Sequence, residues 1–399
     1  MPLYNAVAHA CKAKQFNEAY NLYWDRIQRG SEGFAHRELG AFSQELVAMA
    51  SFFSSAPLKE SERFMDLESG LEKELQAHIL GITGSRLRSL GQLEQACKLL
   101  ERSIAIYERL PDIDPQLLLR RIRHLSESHF ALGNLEEACR HAKRAVFISY
   151  RKRSPYDCFV NWCVLGASLH YYSGEVGPPQ KAFTKAYQRQ MKFDAVRSTS
   201  QEVTSLYSLW GFRYWEFLID QPVDFSDNRK TVIAQVESVK HIPRDSDLDP
   251  EQGLGIIGTI LEKLSALTAQ LGVSPASGMV VEFESIQDQL RKVGRHDFTP
   301  YGPLACAKCR RLAFVETGDH AHIREAEKYV RLTWELSLRD NLRVFQAEAL
   351  IETAELATTT GTGFGVLLKQ LSGHDNPAKL DQELRDFMRN VYKRRENWA

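Results

Sequence analysis

Apolar residues recur along almost the whole chain with a period near 3.6, the spacing of one helical face. The pattern predicts helices over 3–14, 16–28, 36–54, 67–90, 92–109, 115–132, 134–152, 156–173, 178–192, 201–220, 228–240, 253–271, 280–293, 301–317, 322–339, 343–359 and 378–396. No stretch alternates in the manner of a half-buried strand. Breaks fall at Ser54–Glu62, Asp220–Asn228, His241–Gln252, Gly272–Gly278 and Gly361–Pro377. The polar, acidic run from Pro243 to Pro250 makes 241–252 the expected mobile loop.

The helical pattern repeats. Leu90-Gly91-Gln92-Leu93-Glu94-Gln95-Ala96-Cys97 returns 42 positions later as Leu132-Gly133-Asn134-Leu135-Glu136-Glu137-Ala138-Cys139, without a gap. Each octad lies between two helical runs. Its glycine suits the left-handed backbone that ends a helix, because it carries no Cβ. Its second leucine packs into the hairpin, and its alanine lets the two helices approach. Looser copies follow Ser173-Gly174 (Ala182, Phe183, Ala186) and Thr317-Gly318 (Ala326, Tyr329, Trp334). Lys14-Gln15-Phe16-Asn17-Glu18-Ala19 has the same logic without the glycine. One such hairpin cannot bury its apolar stripe alone, whereas stacked neighbours can.

These octads resemble the tetratricopeptide (TPR) family, best over 75–193 and 303–338. The resemblance implies an all-α fold: an α-solenoid of stacked antiparallel helix pairs running continuously over 1–399, with a divergent helical cap at 364–399. Leu3-Tyr4-Asn5-Ala6-Val7-Ala8-His9, Arg26-Ile27-Gln28-Arg29-Gly30, Leu39-Gly40-Ala41-Phe42 and Leu206 to Tyr214 are similar to TPR arrays that follow NACHT-type or other STAND-type NTPase domains in large bacterial proteins. That similarity implies a sensor or adaptor of a multi-protein effector, including one used against phage. This chain carries no NTPase or effector domain, so that activity would belong to a separate subunit.

Composition narrows the function. Of 399 residues 43% are hydrophobic, and 51 basic residues balance 51 acidic ones. A global basic field for nucleic acid is therefore absent, and nucleic acid is expected only as part of a complex. No apolar run is long enough to span a membrane, and the N-terminus lacks the pattern of a signal peptide. The seven cysteines are odd in number and sit mostly beside alanines within helices, which suits a reducing, cytoplasmic setting.

Motifs for chemistry lack their context. Gly253-Leu254-Gly255-Ile256-Ile257-Gly258 fits G-x-G-x-x-G but follows an acidic loop instead of a strand. Gly361-Thr362-Gly363-Phe364-Gly365 has no P-loop lysine after it and reads as a turn. Cys306 and Cys309, with His320 and His322 nearby, have zinc-like types but not finger spacing, and the cysteines occupy packing positions. Cys11 with His9, and Cys139 with His141, are two apart on a helix and face different ways. No catalytic residue, cofactor or metal ligand is assigned.

Two surfaces are candidates for a partner. The first is basic: Arg120, Arg121 and Arg123 on the first helix of one hairpin, then Arg140, Lys143, Arg144, Arg151, Lys152 and Arg153 on or after the second. First helices line the groove of such arrays, so Arg120, Arg121 and Arg123 are the leading contacts, with Arg144, Arg151 and Arg153 behind them. The second is aromatic, where Tyr207, Trp210 and Tyr214 share one helical stripe. Trp210 and Tyr214 are the candidate anchors. The expected function is a non-catalytic scaffold that grips a protein in its concave groove. A nucleic-acid-associated regulator using the basic helices and an enzyme with an unrecognised site are the alternatives.

Overall fold

The computed structural model describes residues 2–30, 33–54, 66–111, 114–173, 177–196, 274–293 and 295–373, with Phe64, Glu175 and scattered positions between 213 and 271. The acidic stretch 241–252, the glycines at 253–258, Trp210 and the expected helices at 228–240 and 378–396 lie outside the described residues.

The N-terminal helices are α1 (Pro2–Lys12), α2 (Phe16–Asn21, continuing as a π-turn over Leu22–Ile27), α3 (Phe34–Arg37) and α4 (Phe42–Ala50). Three long hairpins follow: α5 (Lys73–Ser89) with α6 (Leu93–Tyr107), α7 (Pro115–Ala131) with α8 (Leu135–Lys152), and α9 (Pro155–Tyr172) with α10 (Gly177–Val196). Downstream come α11 (Val280–Val293), α12 (Tyr301–Thr317), α13 (His320–Arg339), α14 (Arg343–Thr360) and α15 (Phe364–Ser372). Each helix from α5 to α10 packs on the next in sequence, as expected of a solenoid. No strand occurs among the described residues; one isolated antiparallel bridge joins Phe53 and Leu67.

Local chemistry places the helix starts. Asp114 accepts from the Gln116 amide at 2.8 Å, and Asp319 from that of Ala321 at 2.8 Å. Ser154 plays the same part for Asp157, and prolines follow both Asp114 and Ser154 at the first helical position. The repeat glycines behave as their positions require: φ is +79° at Gly91, +81° at Gly133 and +72° at Gly318. In the copy lacking glycine, Lys14 takes the left-handed conformation itself, at φ +59°. Ala96 and Ala138, five residues after their glycines, are fully buried where paired helices touch.

Three expectations change. The run at 36–54 is two helices, because Gly40 turns left-handed between them. The run at 67–90 becomes helical only at Lys73, since residues near Leu67 pair with the chain around Phe53. Phe364–Ser372 is a helix inside the expected break, its Leu367 and Leu368 buried against α13 and α14; flanking glycines masked this short apolar face.

The downstream helices fold back onto the repeats. One core cluster joins Leu93, Leu100, Leu119 and Leu125 of the hairpins to Phe298, Tyr301, Leu304 and Phe345. The turn between α13 and α14 rests against both octad turns: a Cβ on Gly91 would lie 2.9 Å from Asp340 Cβ, and one on Gly133 2.9 Å from Arg343 Cβ. The His296 amide also donates to the Ser89 carbonyl at 2.9 Å. The C-terminal ends of α5 and α7 are therefore covered by the chain itself.

Ala138→Trp is expected to lower stability by about 1–3 kcal/mol through overpacking; thermal unfolding beside the exposed-site control Lys143→Ala checks it, and an unchanged melting temperature would contradict the helix contact. Gly91→Ala is expected to lose more stability than Gly361→Ala. Both glycines have positive φ, but a Cβ meets Asp340 only at Gly91 and open space at Gly361. Equal losses in denaturant titrations would refute the role of the Asp340 contact.

Candidate binding pocket

α5 and α7 meet the end of α2 in a pocket of about 220 Å³. Gln116, Arg120, Arg121, Arg123 and His124 of α7 form one wall; His78, Ser85 and Arg86 of α5 form another. Trp24, Gln28 and His36 close the N-terminal side, and Tyr156 and Asp157 the opposite one. The lining is strongly cationic, with Asp157 its one carboxylate.

Arg86 and Arg123 have carboxylate partners. Arg86 is buried against Glu45, whose carboxylate is fully buried and also accepts from Tyr23 at 3.2 Å. Burial works against the charge of Arg86, yet Glu45 and Tyr23 hold its guanidinium above the ordinary value. Burial raises Glu45 in turn, against the pull of Arg86. Arg123 lies 3.8 Å from the buried Asp157. Arg120 is half-buried on the same face of α7.

Arg121 is different. It is 5% exposed, and it forms no ion pair among the described residues. Its Nη1 donates to Ser85 Oγ at a long 3.4 Å, and its Nε has no partner. Burial pushes its guanidinium below the ordinary value; Arg86 adds to this, and the phenols of Tyr107 and Tyr20 oppose it. The side chain lies across Gly81 of α5, where a Cβ would overlap Nε. The neighbouring imidazoles do not add charge at neutral pH: burial, helped by Arg121, lowers His78 to about 4, and burial with the surrounding arginines holds His124 well below its usual value. Arg121 is thus a buried cation without an anion, a costly arrangement.

The structure brings Arg120, Arg121 and Arg123 together and places Arg144, Arg151, Arg153 and Tyr214 elsewhere. Arg144 reaches outward from α8 to Glu108, and Arg140 to Glu137. Arg151 is exposed above the Phe147 ring, 5.0 Å from its centroid, and Arg153 ends α8 in a left-handed turn. Tyr214 is half-buried against Phe183, ring centroids 5.4 Å apart, and burial pushes its phenol up to about 12, so packing occupies the ring. Sequence reasoning missed Arg86, Glu45, His36, His78 and His124. The available signal was the pair of small residues Gly81 and Ser85 inside α5, which leaves room for large side chains from α7.

The cysteine candidates pack as core. Cys306 and Cys309 are buried in α12, and Cys309 Sγ donates to the Ala276 carbonyl at 3.3 Å. Burial raises the Cys309 thiol to about 12 and that of Cys139 to about 11. Gly361 turns between α14 and α15, with Thr360 and Thr362 hydroxyls bonded at 2.8 Å. No helix among the described residues is long and apolar enough to cross a membrane.

Comparison with known proteins is sparse. The tetratricopeptide repeat family matches residues 84–110, spanning the first octad. No curated protein matches the chain. Among solved structures, a circular tandem repeat protein with novel repeat topology and enhanced subunit contact surfaces aligns over 99% of this chain and 96% of its own. It does so at 14% identity and a TM-score of 0.20, too loose a superposition to carry an argument. The matched stretch and the stacked hairpins together show a tetratricopeptide-like repeat within an all-α solenoid.

Proposed function

We propose that this chain is a non-catalytic scaffold whose arginine-lined pocket takes an acidic segment of a protein partner. Arg121 carries the reading. A buried guanidinium lacking a carboxylate is stabilised when a partner's Asp or Glu enters, and the forked geometry favours two parallel hydrogen bonds. Arg120 and Arg123 flank it, so the pocket favours a run of acidic residues over a single one. The setting we propose is a sensor or regulatory subunit of a bacterial effector complex, defence against phage included, with the enzyme on a separate subunit. Free, buried cysteines support a reducing cytoplasm. Burial raises the thiol of every cysteine, which argues against a cysteine nucleophile.

The test is fluorescence anisotropy with a labelled oligo-glutamate peptide and, separately, a single-stranded oligonucleotide. The peptide is expected to bind more weakly as salt rises, and to lose at least about tenfold affinity in Arg120→Ala/Arg123→Ala, as charge-assisted contacts require. Preference for the oligonucleotide would instead favour a nucleic-acid regulator.

Arg121→Met separates binding from stability. It removes a buried charge while keeping an unbranched chain over Gly81. The variant is expected to gain about 1 kcal/mol of stability and to lose peptide binding. A lower melting temperature, with binding intact, would make Arg121 structural.

A further inference from the structure

The turn of the second repeat holds a separate cluster. His129 in the last turn of α7 and His141 of α8 face each other across the hairpin, rings nearly parallel at 4° and centroids 5.6 Å apart. Glu137, one turn before His141, places Oε2 3.6 Å from His141 Nε2. Glu101 of α6 brings Oε1 to 3.9 Å from His129 Nε2. One donor atom each from His129, Glu137 and His141 lie within 4.8 Å of one another, the sole group of three meeting that condition among the described residues.

Two observations separate this cluster from ordinary surface charge. Both imidazoles are largely buried, with side chains 11% (His129) and 6% (His141) exposed. His129 Nε2, which faces the carboxylates, has no hydrogen-bond partner. The far nitrogen of His129 is 3.4 Å from the Asn134 side-chain amide. With that amide turned to present its oxygen, Nδ1–H is held and Nε2 is left as a lone-pair donor, the outer arrangement usual for metal-bound imidazole.

We propose that His129, His141 and Glu137, with Glu101 as fourth ligand, bind a divalent transition metal of the zinc type. Two imidazoles and two carboxylates suit zinc by donor type and number. The donors must close to about 3.3 Å apart for a tetrahedral ion with bonds near 2.0–2.1 Å. The imidazoles are fixed by burial, while the Glu137 and Glu101 side chains, 43% and 56% exposed, have room to swing inward. The position now attracts a cation of the protein's own. Arg140 lies 3.0 Å from His141 Nε2 and pairs with Glu137. Its side chain is 59% exposed and held within one turn of helix, so a metal displaces it into water. The site ties α6, α7 and α8 together beside the Gly133 turn. It is independent of the arginine pocket.

The experiment uses the full, tag-free chain stripped with chelator. Zinc is titrated by calorimetry, and cobalt by its visible absorption, which reports a tetrahedral site. One metal per chain is expected, with a zinc-dependent rise in melting temperature. His129→Ala/His141→Ala is expected to abolish both. Glu137→Gln/Glu101→Gln, which alters only part-exposed side chains, is expected to weaken binding by at least about a hundredfold. Arg140→Ala is expected to tighten it about tenfold by removing the competing cation. Absence of stoichiometric binding overturns the proposal. So does binding that survives both double variants, or that is lost in Cys306→Ser/Cys309→Ser instead.

Discussion

Two backbone positions with no room for a side chain hold this array in its closed form. Gly91 and Gly133 must each turn left-handed to end a helix, a requirement any TPR-like hairpin shares. Here the same two residues also receive the turn between α13 and α14, with Asp340 against one and Arg343 against the other. Because the octads are equivalent, a single downstream turn bridges two successive repeats. The Phe298, Tyr301 and Phe345 rings then enter the core beside Leu93 and Leu119. Arg213, buried at that junction, lies over the Phe130 and Tyr301 rings at 4.8 and 4.7 Å. Cation–π contact lets a charged side chain sit inside an otherwise aromatic seam.

The same closure defines the arginine pocket. The inner helices would offer a continuous concave face, but the returning helices occupy its far half. What stays open is the part where α5 and α7 face the end of α2. Small residues on α5 and long basic ones on α7 are complementary there: Gly81 leaves space that Arg121 fills. Glu45 neutralises Arg86 from behind and Asp157 lies beside Arg123, so the charge without a carboxylate rests on Arg121.

The hairpins were legible because their determinants are local. The octad glycines, the buried alanines and the capping Asp114 and Ser154 each act within a few residues, and the described helices between 92 and 192 and between 280 and 360 begin and end close to their expected bounds. The pocket was legible only in part. Arg120, Arg121 and Arg123 announced themselves as a basic run on a first helix. Nothing nearby in sequence could say that Arg121 would be buried over Gly81, 40 positions away, or that Arg144 would find Glu108. Tyr214 shows the converse limit: an aromatic stripe looks alike whether it meets a partner or Phe183. The closure itself was invisible, since Asp340 and Arg343 carry no mark that points to Gly91 and Gly133.

An open solenoid behaves as a spring, because each repeat touches only its neighbours and small bends add along the stack. Linking two adjacent turns through one distant hairpin removes that compliance locally. The first two long hairpins of this chain, α5–α6 and α7–α8, are clamped like the voussoirs of an arch, with the α13–α14 turn as keystone. Curvature there cannot adjust to the ligand. Whatever enters the pocket must match a width already set, so discrimination resides in the shape of the guest and not in the accommodation of the host.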